Sequence, residues 1–246
     1  MPSSPHGLWL CLNPSVRRLS RPILAQLSEY ADIYIWQFAQ TADEPCCLET
    51  ILALVHDHVS QQSEPLHLLG HGLSGVVALL YARQHPERVK SLTLLSVDAN
   101  PSMSWHVHYY SLREMLPCRR SAALHQMARL LFGPLPRRRE SRIARILGRS
   151  LDTEFTLHSL AQRNILPPGG ANIPLLVCHG ESDMIINSNA QIQWNQWLKP
   201  GDRRWTCPEG HHFFHYDDPT RVSQVIVDFW QHISPSSSMP PIQLAS

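Results

Sequence analysis

The chain has 246 residues, a formal net charge of +1, 43% hydrophobic residues and 17% charged residues. These values are ordinary for a soluble globular α/β domain that is long enough to bury a core. The first twelve residues hold no basic segment, and the apolar stretch from Gly7 to Leu12 is too short for a signal peptide or a membrane span. We therefore expect a soluble, cytoplasmic protein.

Short apolar segments alternate with segments of helical periodicity through the first hundred residues. The apolar runs predict strands at 8–12, 33–36, 66–71 and 91–97, and the periodic segments predict helices at 22–30, 47–60 and 73–85. The same alternation returns with strands at 173–179 and 203–207 and helices at 188–198 and 219–232. This order predicts a parallel sheet that is covered by helices on both faces.

The alternation is interrupted by a segment of different composition. Residues 100–172 hold eleven arginines and four acidic residues, so this segment carries about +7 while the rest of the chain carries about −6. Periodic stretches at 105–116, 121–131, 138–147 and 153–165 predict a helical lid. We expect a core of residues 1–99 and 171–233, a lid of residues 100–170, and a disordered Ser- and Pro-rich tail at 234–246.

The six cysteines, at positions 11, 46, 47, 118, 178 and 207, have no metal-ligand spacing. Buried free thiols in a reducing compartment are the simplest interpretation. No motif in the sequence requires a metal ion or a cofactor.

The stretch Leu66-His67-Leu68-Leu69-Gly70-His71-Gly72-Leu73-Ser74-Gly75 predicts a strand, a tight turn and a helix. It resembles the nucleophile elbow of the α/β-hydrolase superfamily, Gly-x-Ser-x-Gly, with small residues two positions either side of the nucleophile. Aligned without a gap, the nucleophile position falls on Gly72, which has no side chain. Ser74 is the alternative nucleophile, although its register would place β-branched Val76 where the elbow needs a small residue.

Two later motifs support the resemblance, which spans residues 7–233. Gly180-Glu181-Ser182-Asp183 is similar to the family motif whose aspartate orients the catalytic histidine. The segment from Pro208 to Pro219 is similar to the family's histidine loop, and implies His212 as the catalytic histidine, with His211 as the alternative. Asp98, after the fourth strand, is an alternative position for the acid.

The family's oxyanion loop, His-Gly-x after the first strand, corresponds here to Asn13-Pro14-Ser15. The resemblance implies oxyanion donors at the N–H groups of Leu73 and Ser15, but proline fixes φ where the family has a flexible glycine. The nucleophile and the oxyanion loop therefore both depart from the family pattern.

Residues near these motifs are candidate ligand contacts. Asn13 and His71 flank the predicted turns, and Trp105 and Tyr109 begin the predicted lid, where they line a pocket or belong to the lid core. Aromatic side chains there favour a small apolar or amphipathic ligand.

The basic lid segment interleaves arginines with apolar residues, and its arginines are Arg137, Arg138, Arg139, Arg142 and Arg145. This pattern favours an anionic membrane surface, an acidic protein or a phosphorylated ligand, and the alternative is a solvated basic helix face. No nucleic-acid-binding motif accompanies the charge, so we expect no nucleic-acid partner.

The resemblance thus implies an α/β-hydrolase fold with a helical lid inserted after the strand ending near Val97. Because Gly72 cannot attack a substrate, we expect a protein without serine-hydrolase activity that acts by binding a ligand or a partner. The alternative is an enzyme: an esterase-like hydrolase acting through Ser74 or water, or a lyase or oxygenase that uses His212 as a general base.

Overall fold

The structure is a computed structural model that describes residues 6–39, 47–100, 104–154 and 167–233. Its centre is a sheet of six parallel strands in the order β2-β1-β3-β4-β5-β6. The strands are β1 His6–Cys11, β2 Asp32–Gln37, β3 Leu66–His71, β4 Val89–Leu95, β5 Leu175–Gly180 and β6 Arg203–Cys207.

Helices cover both faces of the sheet. The helices of the α/β core are α1 Arg21–Leu27, α2 Leu48–Ser60, α3 Leu73–Gln84, α7 Ser188–Gln193, α8 Phe214–Asp217 and α9 Pro219–Ile233. Apolar side chains of α2 and α3 form one buried cluster with the sheet, and those of α1 and α9 form a second cluster on the opposite face. This arrangement is the doubly covered parallel sheet that the alternating pattern predicts.

Three helices follow β4 where the sequence predicts the lid: α4 Trp105–Met115, α5 Arg120–Phe132 and α6 Arg137–Thr153. They share a third apolar cluster with Leu19, Ile185, Ile186 and Phe213, which belong to the α/β core. The α4–α6 segment is therefore packed against the carboxyl-end loops of the sheet. None of the described helices combines the length and the apolar character that crossing a bilayer requires.

Some elements differ from their predicted bounds. The predicted helix 188–198 is α7 followed by a 3-10 turn at Trp194–Gln196, and the buried Trp194 indole N–H donates to the Val97 carbonyl at 2.8 Å. A further 3-10 turn, Pro14–Leu19, follows β1. Helix α6 continues past Gly148 to Thr153. The predicted helix at 153–165, beyond Glu154, and the predicted tail at 234–246 lie outside the described residues.

The turn between β3 and α3 depends on the close approach of two glycines. A Cβ on Gly70 would lie 2.6 Å from the Gly75 Cα, and a Cβ on Gly75 would lie 2.8 Å from the Gly70 carbonyl oxygen. The strand and the helix therefore touch backbone to backbone, and no side-chain rotation can relieve an added methyl group.

We expect Gly70→Ala to lower the free energy of unfolding by about 3 kcal/mol or more, because the added Cβ meets backbone atoms. Gly72→Ala is the matched comparison: its Cβ would meet only His212 Nε2, at 3.9 Å, so its cost is the positive φ alone, about 1 to 2 kcal/mol. Urea unfolding of the two variants checks this order. Equal stabilities would contradict the backbone contact.

Several histidines are buried in the α/β core in their neutral form. Burial lowers the pKa of His67 to about 3, that of His179 to about 4 and that of His215 to about 3. His67 Nδ1 lies 2.7 Å from the Ser91 hydroxyl oxygen, while its Nε2 has no partner in the described part of the chain. Each such ring takes up a proton more readily in the unfolded state.

The pKa values of these histidines are lower in the folded state than in the unfolded state. The stability that comes from keeping them neutral is therefore fully present above pH 6.5, and it is lost as the pH falls toward 3 to 4. We expect His67→Gln to reduce the slope of unfolding free energy against pH by about 1.4 kcal/mol per pH unit in that range. Urea titrations between about pH 4 and pH 5.5, where the histidine is protonated in the unfolded state and neutral in the folded state, measure the slope. The exposed His232→Gln is the control, and an unchanged slope in His67→Gln would contradict the assignment.

Candidate active site

Residues that follow four of the parallel strands converge at the carboxyl edge of the sheet. Asn13 follows β1, Gly72 follows β3, Asp183 follows β5 and His212 follows β6. Since the carboxyl ends of parallel strands share one edge, this is the usual position of a binding site in such a sheet. The structure thus brings together residues that are up to 199 positions apart in the sequence.

Gly72 forms the tip of the turn between β3 and α3. Its backbone has φ 51° and ψ −121°, a conformation that side-chain-bearing residues rarely adopt. The Gly72 N–H donates to the Leu95 carbonyl at 2.9 Å, and the Gly72 carbonyl accepts from Val76 N–H at 3.0 Å. A Cβ placed here would meet only His212 Nε2, at 3.9 Å. Position 72 therefore faces the His212 ring across open space.

His212 and Asp183 form a buried pair. His212 Nδ1 lies 2.9 Å from Asp183 Oδ2 and 3.1 Å from Oδ1, and both side chains are almost fully buried. Asp183 Oδ1 also accepts the N–H groups of Ile185 and Ile186, at 2.8 and 3.0 Å. Burial alone would raise the pKa of Asp183, but His212 and these two N–H donors bring it below its usual value. The ionised carboxylate thus holds the ring with Nε2 toward Gly72.

The structure places His211 elsewhere. Its ring lies against Gly133, just after α5. A Cβ added to Gly133 would be 2.4 Å from the His211 Cε1 atom. Of the two adjacent histidines, His212 is therefore the one beside Asp183. The alternative acid, Asp98, accepts the N–H of Asn100 at 3.0 Å and so closes its own loop.

Ser74 lies two residues beyond the tip, in the first turn of α3. Its hydroxyl oxygen accepts the N–H of Leu12 at 3.1 Å, and the residue is buried. This bond joins the start of α3 to the loop after β1. Ser74 therefore has a structural contact that accounts for a small hydroxyl residue at this position.

The two predicted oxyanion donors have different surroundings. Leu73 is the first residue of α3 and lines the cavity beside Gly72, where the positive end of the helix dipole lies. The Ser15 N–H instead donates to Glu154 Oε1, and the Ser150 hydroxyl donates to Glu154 Oε2. The Glu154 carboxylate, directly after α6, thus already accepts the N–H group that was predicted as the second oxyanion donor.

The Asn13 side chain has an unused donor. Asn13 lines the cavity and is only 7% exposed, and its Nδ2 has no hydrogen-bond partner among the described residues. A buried amide without a partner costs about 1 to 3 kcal/mol, so this group favours a bound acceptor.

The other predicted contacts divide between the cavity and the core. His71 Nε2 donates to the His212 carbonyl at 3.0 Å, and burial lowers its pKa well below the usual value. Trp105 lines the cavity, whereas Tyr109 lies in the buried cluster of the α4–α6 segment. Trp105 is thus a cavity residue and Tyr109 packs in the helical cluster.

The cavity between these groups has a volume of about 40 Å³, which is room for one or a few water molecules. Ser104, Trp105 and Phe213 close it on the side of the α4–α6 segment. Among the described residues, no three His, Cys, Asp or Glu side chains are arranged to hold a metal ion.

Two contacts of the site had no counterpart in the sequence motifs. The Ser96 hydroxyl donates to the His212 carbonyl at 2.8 Å, from a residue with φ 49° at the end of β4. The Glu154 contact joins positions 139 residues apart. The positive φ of Ser96 and the reach of Glu154 follow from tertiary packing, and no local sequence signal marks either residue.

The geometry agrees with the comparisons to known proteins. The model of the alpha/beta hydrolase family matches residues 6–225. An uncharacterized protein of Synechocystis sp. is 42% identical over 95% of this chain and 93% of its own length. An uncharacterized protein of Nostoc sp. is 36% identical over 93% of this chain and 92% of its own length.

The fold is also similar to solved structures. A thermophilic esterase from Thermogutta terrifontis superposes with a TM-score of 0.70 at 18% identity, covering 94% of this chain and 91% of the esterase. The chain belongs to the alpha/beta hydrolase family. The α/β-hydrolase fold expected from the sequence is confirmed.

The open space at Gly72 predicts a gain of function on adding one side chain. We expect Gly72→Ser to react with a fluorophosphonate probe, because the new hydroxyl would face His212 Nε2. The measurement is the rate of covalent labelling by intact-protein mass spectrometry.

The controls separate the two histidines. Labelling of Gly72→Ser should fall by at least about a hundredfold when His212→Ala is added, and should persist when His211→Ala is added. Labelling that depends on His211 instead would contradict the geometry described here.

Proposed function

We propose that this chain is a non-hydrolytic member of its family, a pseudoenzyme that binds a small ligand in the cavity between Gly72, His212 and Asn13. One observation carries the proposal: the tip of the turn keeps its strained backbone and faces His212 Nε2, but it holds a glycine. An acyl-transfer reaction by the family mechanism needs a side-chain nucleophile at that position.

Three other hydroxyl and thiol groups that line the cavity, those of Ser74, Ser96 and Cys11, are engaged in structural contacts. The Ser74 hydroxyl oxygen accepts the Leu12 N–H, and the Ser96 hydroxyl donates to the His212 carbonyl. The Cys11 thiol lies 3.6 Å from the Asn13 carbonyl, and burial raises its pKa to about 11, which keeps it protonated at neutral pH. These groups do not supply the nucleophile that Gly72 lacks.

Glu154 also disfavours acyl transfer. An oxyanion held by the Ser15 N–H would have to displace the Glu154 carboxylate or lie next to its negative charge. Two like charges at 4 Å repel by about 4 kcal/mol at an effective dielectric constant of 20. The Ser15 N–H is therefore poorly placed to serve as a second oxyanion donor beside the Leu73 N–H.

The groups that line the cavity indicate the type of ligand that it would bind. The Asn13 amide and the Leu73 N–H are donors at one end, and the Trp105 and Phe213 rings are apolar walls. The donors match a carbonyl or carboxylate oxygen, and the cavity of about 40 Å³ has room for only that small polar group of an amphipathic ligand unless Trp105 or Phe213 moves aside. We propose that the segment predicted at residues 100–170 acts as a lid, because Ser104 and Trp105, in its described part, line the cavity. We also propose a cytoplasmic location, consistent with five free cysteines in the described part of the chain.

A general-base enzyme is the second candidate, and the His212–Asp183 pair favours it. An imidazole that is held by an ionised carboxylate can remove a proton from water or from an acidic C–H group without a side-chain nucleophile. The absent side chain at Gly72 leaves space for that water or substrate atom. Hydrolysis through water, or lyase or oxygenase chemistry with His212 as the base, belongs to this candidate, and hydrolysis through Ser74 is the remaining variant of it.

The test is the reaction of the native protein with p-nitrophenyl acetate and with a fluorophosphonate. Loss of the nucleophile in a comparable triad lowers turnover by about 10⁶, so we expect no labelling and ester turnover indistinguishable from that of His212→Ala. Ester turnover without labelling that is lost in His212→Ala would favour the general-base enzyme. Labelling of the native protein that disappears in Ser74→Ala would contradict the proposal.

A further inference from the structure

Five arginines from two separate parts of the chain converge on one groove. Arg18 and Arg21 come from the 3-10 turn after β1 and the start of α1, and Arg138, Arg139 and Arg142 come from α6. We call this the arginine groove. Its volume is about 380 Å³, within the range of small-molecule sites. The sequence pattern marked only the α6 arginines, and the two from the other element are added by the fold.

The positive charge of the groove is largely uncompensated. Arg139 pairs with Asp217 at 2.5 Å and lies over the Tyr216 ring at 5.0 Å. The other four arginines make no ion pair with any residue that the structure describes. Four guanidinium groups around one concave surface repel one another and attract an anion.

The floor of the groove is apolar. The half-buried Tyr216 ring lines it, together with the small exposed parts of the otherwise buried Leu19, Ile143 and Ile146. Guanidinium groups bind phosphate oxygens in a bidentate manner, and a phosphate monoester carries a charge of about −1.5 to −2 at neutral pH. A ligand with a phosphate at one end and a short apolar body at the other therefore matches both parts of the groove.

The packing of α6 favours a soluble ligand over a membrane. Helices that bind the bilayer interface bury their apolar face among the lipids. In α6 the apolar residues Ile143, Ile146 and Leu147 are buried within the protein, and the small exposed parts of Ile143 and Ile146 line the groove, so the helix has no projecting apolar face to insert. The groove is therefore expected to bind a soluble ligand, because α6 cannot insert into a bilayer.

We infer that the arginine groove is a binding site for a soluble phosphate monoester with an apolar body, separate from the cavity at Gly72. The two sites share no lining residue, although both adjoin the 3-10 turn Pro14–Leu19: Val16 and Arg17 line the cavity, while Arg18 and Leu19 line the groove. The inference does not depend on the function proposed for the cavity.

Isothermal titration with hexyl phosphate tests the inference, with inorganic phosphate and hexanol as the two partial ligands. We expect saturable binding with one site per chain and tighter binding of hexyl phosphate than of either partial ligand. The Arg138→Ala/Arg142→Ala variant should weaken this binding at least about tenfold, and Arg18→Ala should weaken it as well.

The control variant is Arg145→Ala/Arg149→Ala, which removes the same charge from exposed positions of the same helix outside the groove. It should change the affinity less than twofold. Equal weakening by the two double variants would overturn the inference, since a diffuse basic surface would then explain the binding. Absence of hexyl phosphate binding, with or without binding to phosphatidylglycerol vesicles, would also overturn it.

Discussion

The backbone contact between Gly70 and Gly75 is the constraint on which the site depends. A Cβ on either residue would meet backbone atoms of the other residue at less than 3 Å, so strand β3 and helix α3 meet without intervening side chains. This contact produces the tight turn in which Gly72 has φ 51°, and the turn directs position 72 toward His212. The turn therefore has the tight geometry of a nucleophile elbow, although the residue at its tip has no side chain.

The charged groups around this turn give the site its chemical character. Asp183 is buried and accepts three N–H groups, one of which belongs to the His212 ring, while Glu154 engages the Ser15 N–H. The His212 ring is thus held with Nε2 toward open space. The Ser15 N–H, which was predicted to stabilise an oxyanion, is already hydrogen-bonded to Glu154. This combination is the basis on which we propose ligand binding, with proton transfer as the second candidate, rather than acyl transfer.

The fold was predictable from the sequence because it depends on local patterns. Continuous apolar runs mark buried parallel strands, and the glycines around Gly72 mark a turn that only small residues allow. The positions of Asp183 and His212 were also predictable, since each follows a strand in a recognisable motif. Their pairing, and the choice of His212 rather than His211, required coordinates, because adjacent residues of one loop point in different directions.

Contacts between distant segments were not predictable. The Glu154 carboxylate reaches Ser15 only because α6 extends past Gly148, a residue that usually ends a helix. The groove likewise needs Arg18 and Arg21 opposite α6, and no periodicity within either segment indicates that they meet. The 40 Å³ cavity depends on how Trp105 packs, which composition does not determine.

The central claim is that the turn presents position 72 to His212 in the geometry of a nucleophile elbow, with a glycine in place of a side chain that could react. A crystal structure of Gly72→Ser tests this most directly. The account predicts an unchanged turn, with the serine hydroxyl oxygen about 2.6 to 3.2 Å from His212 Nε2 and the ring still paired with Asp183. A rearranged turn, or a serine directed away from the histidine, would contradict it.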